Sequence, residues 1–225
     1  MPTSRSYRDS CAIARALDVV GERWALLVVR ELLLVPQRFS ELRRALPHVS
    51  SNLLADRLRE LEQNGVIRRS PEPAEGPRGY ELTERGRKLE TVLMALSDWG
   101  MDAPQPPPPA ALSATSVLIF LRRAARPDPA APPMSCRLEL DGRVWTVRLA
   151  SGQVEVSPGE TATADVSLRT DARTFSALLT DPGALASACE DGGVAVVGDL
   201  SAIGRLLRAV TDPWPSEEVQ PAGRA

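Results

Sequence analysis

This sequence of 225 residues has few of the residue types on which enzymes and metal sites depend. His48 is its only histidine, and its three cysteines, Cys11, Cys136 and Cys189, lie too far apart for a zinc-binding motif. The sequence also contains no paired catalytic carboxylates, no nucleophile elbow and no glycine-rich phosphate loop. We therefore expect no enzymatic activity, no bound metal and no cofactor.

Long apolar stretches are missing as well. No run approaches the roughly 18 apolar residues of a membrane-spanning helix. The first ten residues, MPTSRSYRDS, contain no apolar segment of the kind found in signal peptides. Three widely spaced cysteines suit a reducing compartment. The sequence predicts a cytoplasmic protein without a membrane partner.

Net charge is small but unevenly distributed. The whole chain has a formal net charge of −2. Residues 1–100 contain 16 basic and 14 acidic side chains, whereas residues 101–225 contain 11 basic and 15 acidic ones. Because the positive excess in the first part is slight, DNA binding there would have to depend on local clusters of arginine.

Proline divides the chain into two parts. Residues 102–110 read DAPQPPPPA, and consecutive prolines favour a stiff polyproline II conformation. Helical periodicity predominates before this segment, and the alternation typical of strands follows it. We predict a DNA-binding domain over residues 1–101, a linker over 102–112, an α+β domain over 113–213 and a flexible tail over 214–225.

The first part predicts helices followed by a β-hairpin and a last helix. Apolar spacing favours helices over residues 10–20, 23–34, 39–46 and 51–63, and strands over residues 66–70 and 78–82. Thr83 can cap a last helix that runs to about Trp99. Helix, short turn, helix and hairpin in this order indicate a winged helix-turn-helix fold, mainly α with a β-hairpin wing.

The helix over residues 51–63 is the predicted DNA reader. Ser50 can cap it, and Leu54, Leu58 and Leu61 share the face that turns to the core. The opposite face then presents small and polar side chains suited to the major groove, namely Ser51, Asn52, Asp56, Arg59 and Gln63. Leucine-rich amphipathic helices with exposed arginine are also common in proteins that do not bind DNA, so the pattern alone leaves both interpretations open.

The hairpin adds a second candidate contact with DNA. Arg68, Arg69 and Arg78 stand at its base, where they can lie along the phosphate backbone. Glu72 and Glu75 near its tip oppose a phosphate contact there. The base of the wing is therefore the better candidate.

The stretch from Cys11 to about Gly100 resembles the HxlR family of bacterial winged-helix regulators. The resemblance is carried by Gly21-Glu-Arg-Trp24, Arg38-Phe-Ser-Glu-Leu42, Val49-Ser-Ser-Asn-Leu-Leu54, Asn64-Gly-Val-Ile-Arg68 and Tyr80-Glu-Leu-Thr-Glu-Arg-Gly86. It implies a homodimer, held by the first and last helices of the domain, that reads a pseudo-palindrome in double-stranded DNA. The DNA-binding residues that it implies are Ser50, Ser51, Asn52, Arg57, Arg59 and Arg78. Arg57 lies at the edge of the buried stripe, so a structural ion pair is the alternative role for it.

The same resemblance draws attention to Cys11. Some members of the family sense electrophiles or oxidants through a cysteine near the start of the first helix, although the proline that typically follows is Ala12 here. A reactive thiolate needs a helix N-terminus or nearby cations, and Arg8 and Arg15 are the basic neighbours in sequence. The alternative is a buried structural cysteine.

The second part reads as α+β. Apolar and polar residues alternate over 137–140, 144–149, 154–156 and 165–168, with Asp141-Gly142 and Ser151-Gly152 placed as hairpin turns. Residues 112–125 and 172–179 favour helices, and a further helix follows residue 199. Ala164–Asp171, Phe175–Leu179 and Gly192–Asp199 resemble a sterol-carrier-protein-type domain.

This second resemblance implies an apolar tunnel for a hydrophobic small-molecule effector. The candidate lining residues are Trp145, Val147, Phe175, Leu178 and Leu179. Simple core packing is the alternative for each of them, because a half-buried sheet needs such residues with or without a ligand. The domain can also serve dimerisation alone.

We interpret the chain as a transcriptional regulator that binds operator DNA as a homodimer and is modulated by a hydrophobic small molecule. One alternative is a carrier of lipids or other hydrophobic ligands whose helical domain mediates assembly. The other is a regulator switched by oxidation of Cys11.

Overall fold

A computed structural model of the protein describes residues 6–70, 79–104, 106–107, 110–161 and 163–211. The chain forms two compact units, Met1–Ser116 and Val117–Ala225. Arg78 and the predicted tail over 214–225 lie outside the described residues. No described helix is long and apolar enough to cross a membrane.

The first unit has the element order of a winged helix-turn-helix. Its helices are α1 (Ala12–Val20), α2 (Ala25–Glu31), α3 (Phe39–Ala45), α4 (Ser51–Gln63), α5 (Glu84–Arg87) and α6 (Leu89–Gly100). Strands β1 (Ile67–Arg69) and β2 (Tyr80–Leu82) pair antiparallel, with Ile67 opposite Leu82. The predicted fold of this part is confirmed, and α4 has the predicted bounds.

The core of this unit is built around one face of α4. Leu54, Leu58 and Leu61 are completely buried and belong to a cluster that includes Val28 and Leu42 of the preceding helices. Leucine side chains removed from water at this spacing fix the rotation of the helix about its axis. The Oγ of Ser50 accepts a hydrogen bond of 3.3 Å from the backbone N–H of Leu53, so the predicted cap is also confirmed.

The last helix of the first unit differs from the prediction, because it is divided at Lys88 into α5 and α6. Thr83 caps α5 by accepting a hydrogen bond from Gly86, and its hydroxyl also donates to the carbonyl of Gly65 at 2.6 Å. Gly86 packs directly against the backbone of Val66. These contacts tie α5 to the start of the hairpin, and α6 begins only beyond them.

A buried polar cluster joins distant parts of the first unit. The carboxylate of Glu31 is inaccessible to solvent, pairs with Arg30 at 2.6 Å and accepts a hydrogen bond of 2.8 Å from Ser113. The side chain of Gln37 donates to the backbone carbonyl of Glu31, and its backbone pairs with Tyr80 at the base of the wing. Ser113, which the sequence assigned to the second domain, therefore contributes to the interior of the first unit.

The second unit is a five-stranded mixed sheet with helices. The strands β3 (Met134–Leu140), β4 (Arg143–Ala150), β5 (Gln153–Pro158), β6 (Val166–Thr170) and β7 (Ala195–Gly198) lie in the order β5-β4-β3-β6-β7. Strands β3 and β6 are parallel, and the other neighbours are antiparallel. The helices are α7 (Ala114–Ala124), which begins in the last residues of the first unit, α8 (Ala172–Thr180), α9 (Leu185–Glu190) and α10 (Leu200–Thr211).

The two predicted hairpin turns in this sheet are confirmed. Asp141 and Gly142 have φ values of 52° and 76°, and Ser151 and Gly152 have φ values of 51° and 74°. Two successive residues in the left-handed region make the tight turn whose twist matches the twist of the flanking strands. The α+β class of this unit is therefore observed, whereas its relation to sterol-carrier proteins stays a prediction.

The five candidate ligand-lining residues lie in the core of the second unit. They are Trp145, Val147, Phe175, Leu178 and Leu179, and all are fully buried. This burial is what an ordinary core requires, and the Nε1 of Trp145 is a buried donor without a hydrogen-bond partner among the described residues. A hydrophobic effector bound by these side chains stays a prediction.

Gly86 provides a test of how tightly α5 packs on the hairpin. A β-carbon at this position would overlap with the carbonyl oxygen of Val66, and that oxygen is held by a hydrogen bond of 3.0 Å from the backbone N–H of Thr83. We expect Gly86→Ala to destabilise the first unit by about 1–3 kcal/mol, the usual cost of overpacking. The measurement is urea-induced unfolding followed by circular dichroism.

Gly100 is the matched control, because it also belongs to a helix of the first unit but has no atom within 4 Å of the place that an alanine methyl group would occupy. Gly100→Ala should leave the unfolding midpoint unchanged or raise it slightly, since alanine favours helix over glycine. Equal midpoints for the two variants would contradict the close packing at Gly86.

Candidate nucleic-acid interface

The first turn of α4 is a solvent-facing helix end with short polar side chains. Ser51 and Asn52 are exposed, and Ser50 holds the end of the helix through its hydrogen bond to Leu53. The free N–H groups at the start of a helix carry partial positive charge and bind phosphate well. This end of α4 can therefore contact both the backbone and the base edges of DNA.

Arg59 lies further along the exposed face of α4. Its guanidinium pairs with Asp56 at 2.8 Å, and the two side chains are 59% and 52% exposed. An exposed pair of this kind contributes little stability, so Arg59 can exchange Asp56 for a group on DNA at small cost.

Arg57, in contrast, does not face solvent. Its side chain is only 10% exposed and pairs with Glu60 one turn along the helix. The position follows from the helical period, because Arg57 lies three residues after the buried Leu54 and beside Leu58. The structure favours the structural ion pair over a contact with DNA for this residue.

The base of the wing presents two arginines. Arg68 pairs with Glu81 at 2.7 Å, and Arg69 lies 3.6 Å from Glu62 and stacks over the ring of Tyr80. Both side chains are at least half exposed. Burial raises the pKa of Tyr80, so its phenol stays neutral beneath the guanidinium.

The predicted site residues thus fall into three groups. Ser50, Ser51, Asn52 and Arg59 share the exposed side of α4, whereas Arg57 belongs to the packed side. Arg78 lies outside the described residues, as do Glu72 and Glu75.

Exposed apolar side chains on α1 and α6 are functional candidates that our sequence reasoning did not single out. Ile13 and Leu17 lie one turn apart on α1 and are 71% and 42% exposed. On α6, Val92, Leu96 and Trp99 follow at helical spacing, and Trp99 is 80% exposed. The spacing of four and three residues was the available signal, since it places these side chains on one face of the helix.

Cys11 precedes α1 and is exposed, so its interpretation as a buried structural cysteine is wrong. Its sulfur makes no capping hydrogen bond of ordinary geometry, but the nearby backbone N–H groups of Ile13 and Ala14 lower the pKa of the thiol below its usual value. These amides, rather than the side chains of Arg8 and Arg15, cause the shift. A sensing role for Cys11 stays a prediction.

Cys11 and Cys136 should differ in reactivity in the folded protein. We expect the rate at which iodoacetamide modifies Cys11 to rise with pH, because the thiolate is the reacting form. The midpoint of this rise should lie below the ordinary pKa of a cysteine. Cys136 should stay unmodified, since burial raises its pKa to about 12 and removes it from solvent. Mass spectrometry of digested samples taken over a pH series measures both rates.

Cys11→Ser supplies the control for assigning the fast-reacting site. The prediction is wrong if Cys11 in the wild type titrates at or above the ordinary value, or if Cys136 reacts before the protein unfolds.

Comparison with known proteins finds relatives of the first unit. A family described as HxlR-like helix-turn-helix matches residues 19–106. The HTH-type transcriptional regulator YvaP of Bacillus subtilis is 40% identical over 89 residues, which are 39% of this chain and 82% of that protein. YdeP of the same organism is 37% identical over 93 residues, which are 41% of this chain and 73% of that protein.

A solved structure, the reduced form of the transcriptional regulator YodB from B. subtilis, is also similar. It is 34% identical, with a TM-score of 0.37, over 44% of this chain and 99% of that one. The identities to YvaP and YdeP, over most of the length of each, establish the relationship. The chain therefore belongs to the HxlR-like helix-turn-helix family, and it is a transcriptional regulator of that type.

Proposed function

We propose that this regulator binds duplex DNA with the first turn of α4 in the major groove. The observation that carries the proposal is the contrast between the two sides of α4. Leu54, Leu58 and Leu61 are buried, whereas Ser51 and Asn52 are exposed at the end whose N–H groups point to solvent. The major groove is wide enough to admit a helix in this orientation.

Each exposed side chain of α4 has a chemically suitable partner on DNA. The amide of Asn52 can donate to and accept from the edge of adenine, and the guanidinium of Arg59 can donate two hydrogen bonds to guanine. The hydroxyl and backbone N–H of Ser51 can hold a phosphate. Arg68 and Arg69 at the base of the wing add phosphate contacts. In the complex, a phosphate would replace Glu81 as the partner of Arg68 and Glu62 as the partner of Arg69.

The role of α4 in recognising the base sequence of DNA is tested by alanine substitution. An operator is first selected from a random duplex library with the wild-type full chain, and affinity is then measured by fluorescence anisotropy. Arg59→Ala should weaken binding by about 1–3 kcal/mol and relax the preference at one base position per half-site. Adding Ser51→Ala and Asn52→Ala should reduce binding to a level that no longer depends on sequence.

Arg169→Ala removes the same charge from an exposed position of the second unit and is the matched control. Its affinity should equal that of the wild type. If the triple variant in α4 also binds like the wild type, α4 is not the reader.

We also propose that the regulator is a homodimer held through α1 and α6. A monomer rarely exposes contiguous apolar surface unless that surface binds something. Ile13, Leu17, Leu96 and Trp99 place such side chains in the first unit, on the two helices that the family resemblance implicates. A twofold interface would pair the same surface on both subunits and present two copies of α4 to successive major grooves.

The interface is tested by introducing charge into the exposed apolar stripe of α6. Leu96→Glu should convert the protein to a monomer, because burying an unpaired carboxylate in an apolar contact is strongly unfavourable. Sedimentation equilibrium of the full chain measures the mass. Operator affinity should fall together with dimerisation, since each half-site is then bound alone.

Val197→Glu is the control, because Val197 is a similarly exposed apolar residue, 73% accessible, in the second unit. It should leave the mass at that of the wild type. A dimer that persists in Leu96→Glu, or a monomeric wild type, would show that α1 and α6 do not form the interface.

The alternative of a lipid carrier, in which the helical domain only mediates assembly, has less support. The relatives that match this chain are transcriptional regulators. The exposed polar turn of α4 also has no role in such a carrier.

A further inference from the structure

The second unit has a cleft on the sheet face opposite to its buried core. The cleft has a volume of about 510 Å³, and its floor is formed by outward side chains of β3, β4 and β5. Its polar lining includes Ser135, Thr146, Arg148, Glu155, Ser157 and Asp165. Clefts of roughly 300–1,000 Å³ are the size that small-molecule sites occupy.

Strand register places Arg148 in the middle of this floor. Arg148 of β4 lies opposite Ser135 of β3 on one side and Glu155 of β5 on the other. Side chains in such a row project from the same face of the sheet, with neighbouring strands about 4.8 Å apart. A guanidinium and a carboxylate therefore stand one strand apart on the floor of the cleft.

Thr161 and Thr163, on either side of a position outside the described residues, line the wall of the cleft, and the connection between β5 and β6 is fixed at both ends. At its start, Thr146 donates a hydrogen bond of 3.0 Å to the carbonyl of Gly159, and Arg137 pairs with Glu160 at 3.1 Å. At its end, the carboxylate of Asp165 accepts a hydrogen bond of 2.7 Å from the backbone of Ser135. The carboxylate of Asp165 is thereby held at the edge of the floor.

Arg137 and Arg148, which both lie on this face, differ in their partners. Arg137 is engaged by Glu160 and, at 3.2 Å, by Glu139, and these contacts raise the pKa of its guanidinium. Among the residues that the structure describes, no carboxylate lies within ion-pair distance of Arg148, although Glu155 is its neighbour across the strands. Arg148 is therefore the cation that the cleft offers to a ligand.

We propose that this cleft binds a small zwitterion of the amino acid class. Arg148 receives its carboxylate in a bidentate contact, and Glu155 or Asp165 receives its ammonium group. The hydroxyls of Ser135 and Ser157 are available for a polar side chain.

The charge and composition of the lining exclude other classes of ligand. With one guanidinium and two carboxylates, the lining is net negative and would repel a polyanion. No aromatic side chain lines the cleft, so the stacking surface that nucleobases use is missing from this part of the described chain. The density of hydroxyls and charges disfavours a lipid.

The test measures binding of each standard L-amino acid to the full chain by thermal shift and isothermal titration calorimetry. At least one should raise the melting temperature by mass action. Arg148→Gln should weaken that binding roughly tenfold or more, the usual effect of losing a charge-assisted hydrogen bond. Replacing the carboxylate of the same amino acid with a carboxamide should weaken binding to the wild type similarly.

Arg169→Gln is the matched control, because Arg169 is exposed on the adjoining strand β6 and does not line the cleft. It should bind the amino acid like the wild type. The proposal is overturned if no amino acid binds, if Arg148→Gln or the carboxamide binds equally well, or if only an uncharged sugar such as glucose binds. Operator affinity of Arg148→Gln should equal that of the wild type, so these outcomes leave the proposed DNA contact of α4 independent.

Discussion

The burial of one leucine stripe on α4 determines how the first unit can meet DNA. Leu54, Leu58 and Leu61 are completely buried, and each fully buried leucine contributes about 1.5–3 kcal/mol. Turning the helix by a single residue, about 100°, would expose part of this stripe to water. The exposure of Ser51 and Asn52, and the burial of Arg57, are therefore consequences of leucine packing.

Features set by neighbours in the chain could be predicted from the sequence. The bounds of α4, its Ser50 cap and the hairpin turn at Asp141-Gly142 all depend on side chains within a few residues. The division at Lys88 could not, because it results from packing of Gly86 against the hairpin. Arg57 sat at the edge of the stripe, where periodicity alone does not decide between solvent and core.

The same distinction applies to the two candidate sites. A two-residue turn at Ser151-Gly152 already places Arg148 opposite Glu155, so the floor of the cleft followed from the hairpin. The wall of the cleft could not be predicted in this way. It depends on the pairing of β3 with β6, which are parallel neighbours separated in sequence by β4 and β5. The predicted last helix likewise included Val92 and Leu96, but only the structure shows that they are exposed.

The contact between Glu31 and Ser113 spans 82 residues of chain and has a consequence for synthesis. A carboxylate without access to water requires hydrogen-bond donors. One of the donors to Glu31 is Ser113, which is synthesised only after the proline-rich segment. A nascent chain that has reached only α6 therefore contains every helix of the winged domain and still lacks a group that its interior uses. The winged domain therefore reaches its final stability only after residues beyond the proline-rich segment have been synthesised and have left the ribosome.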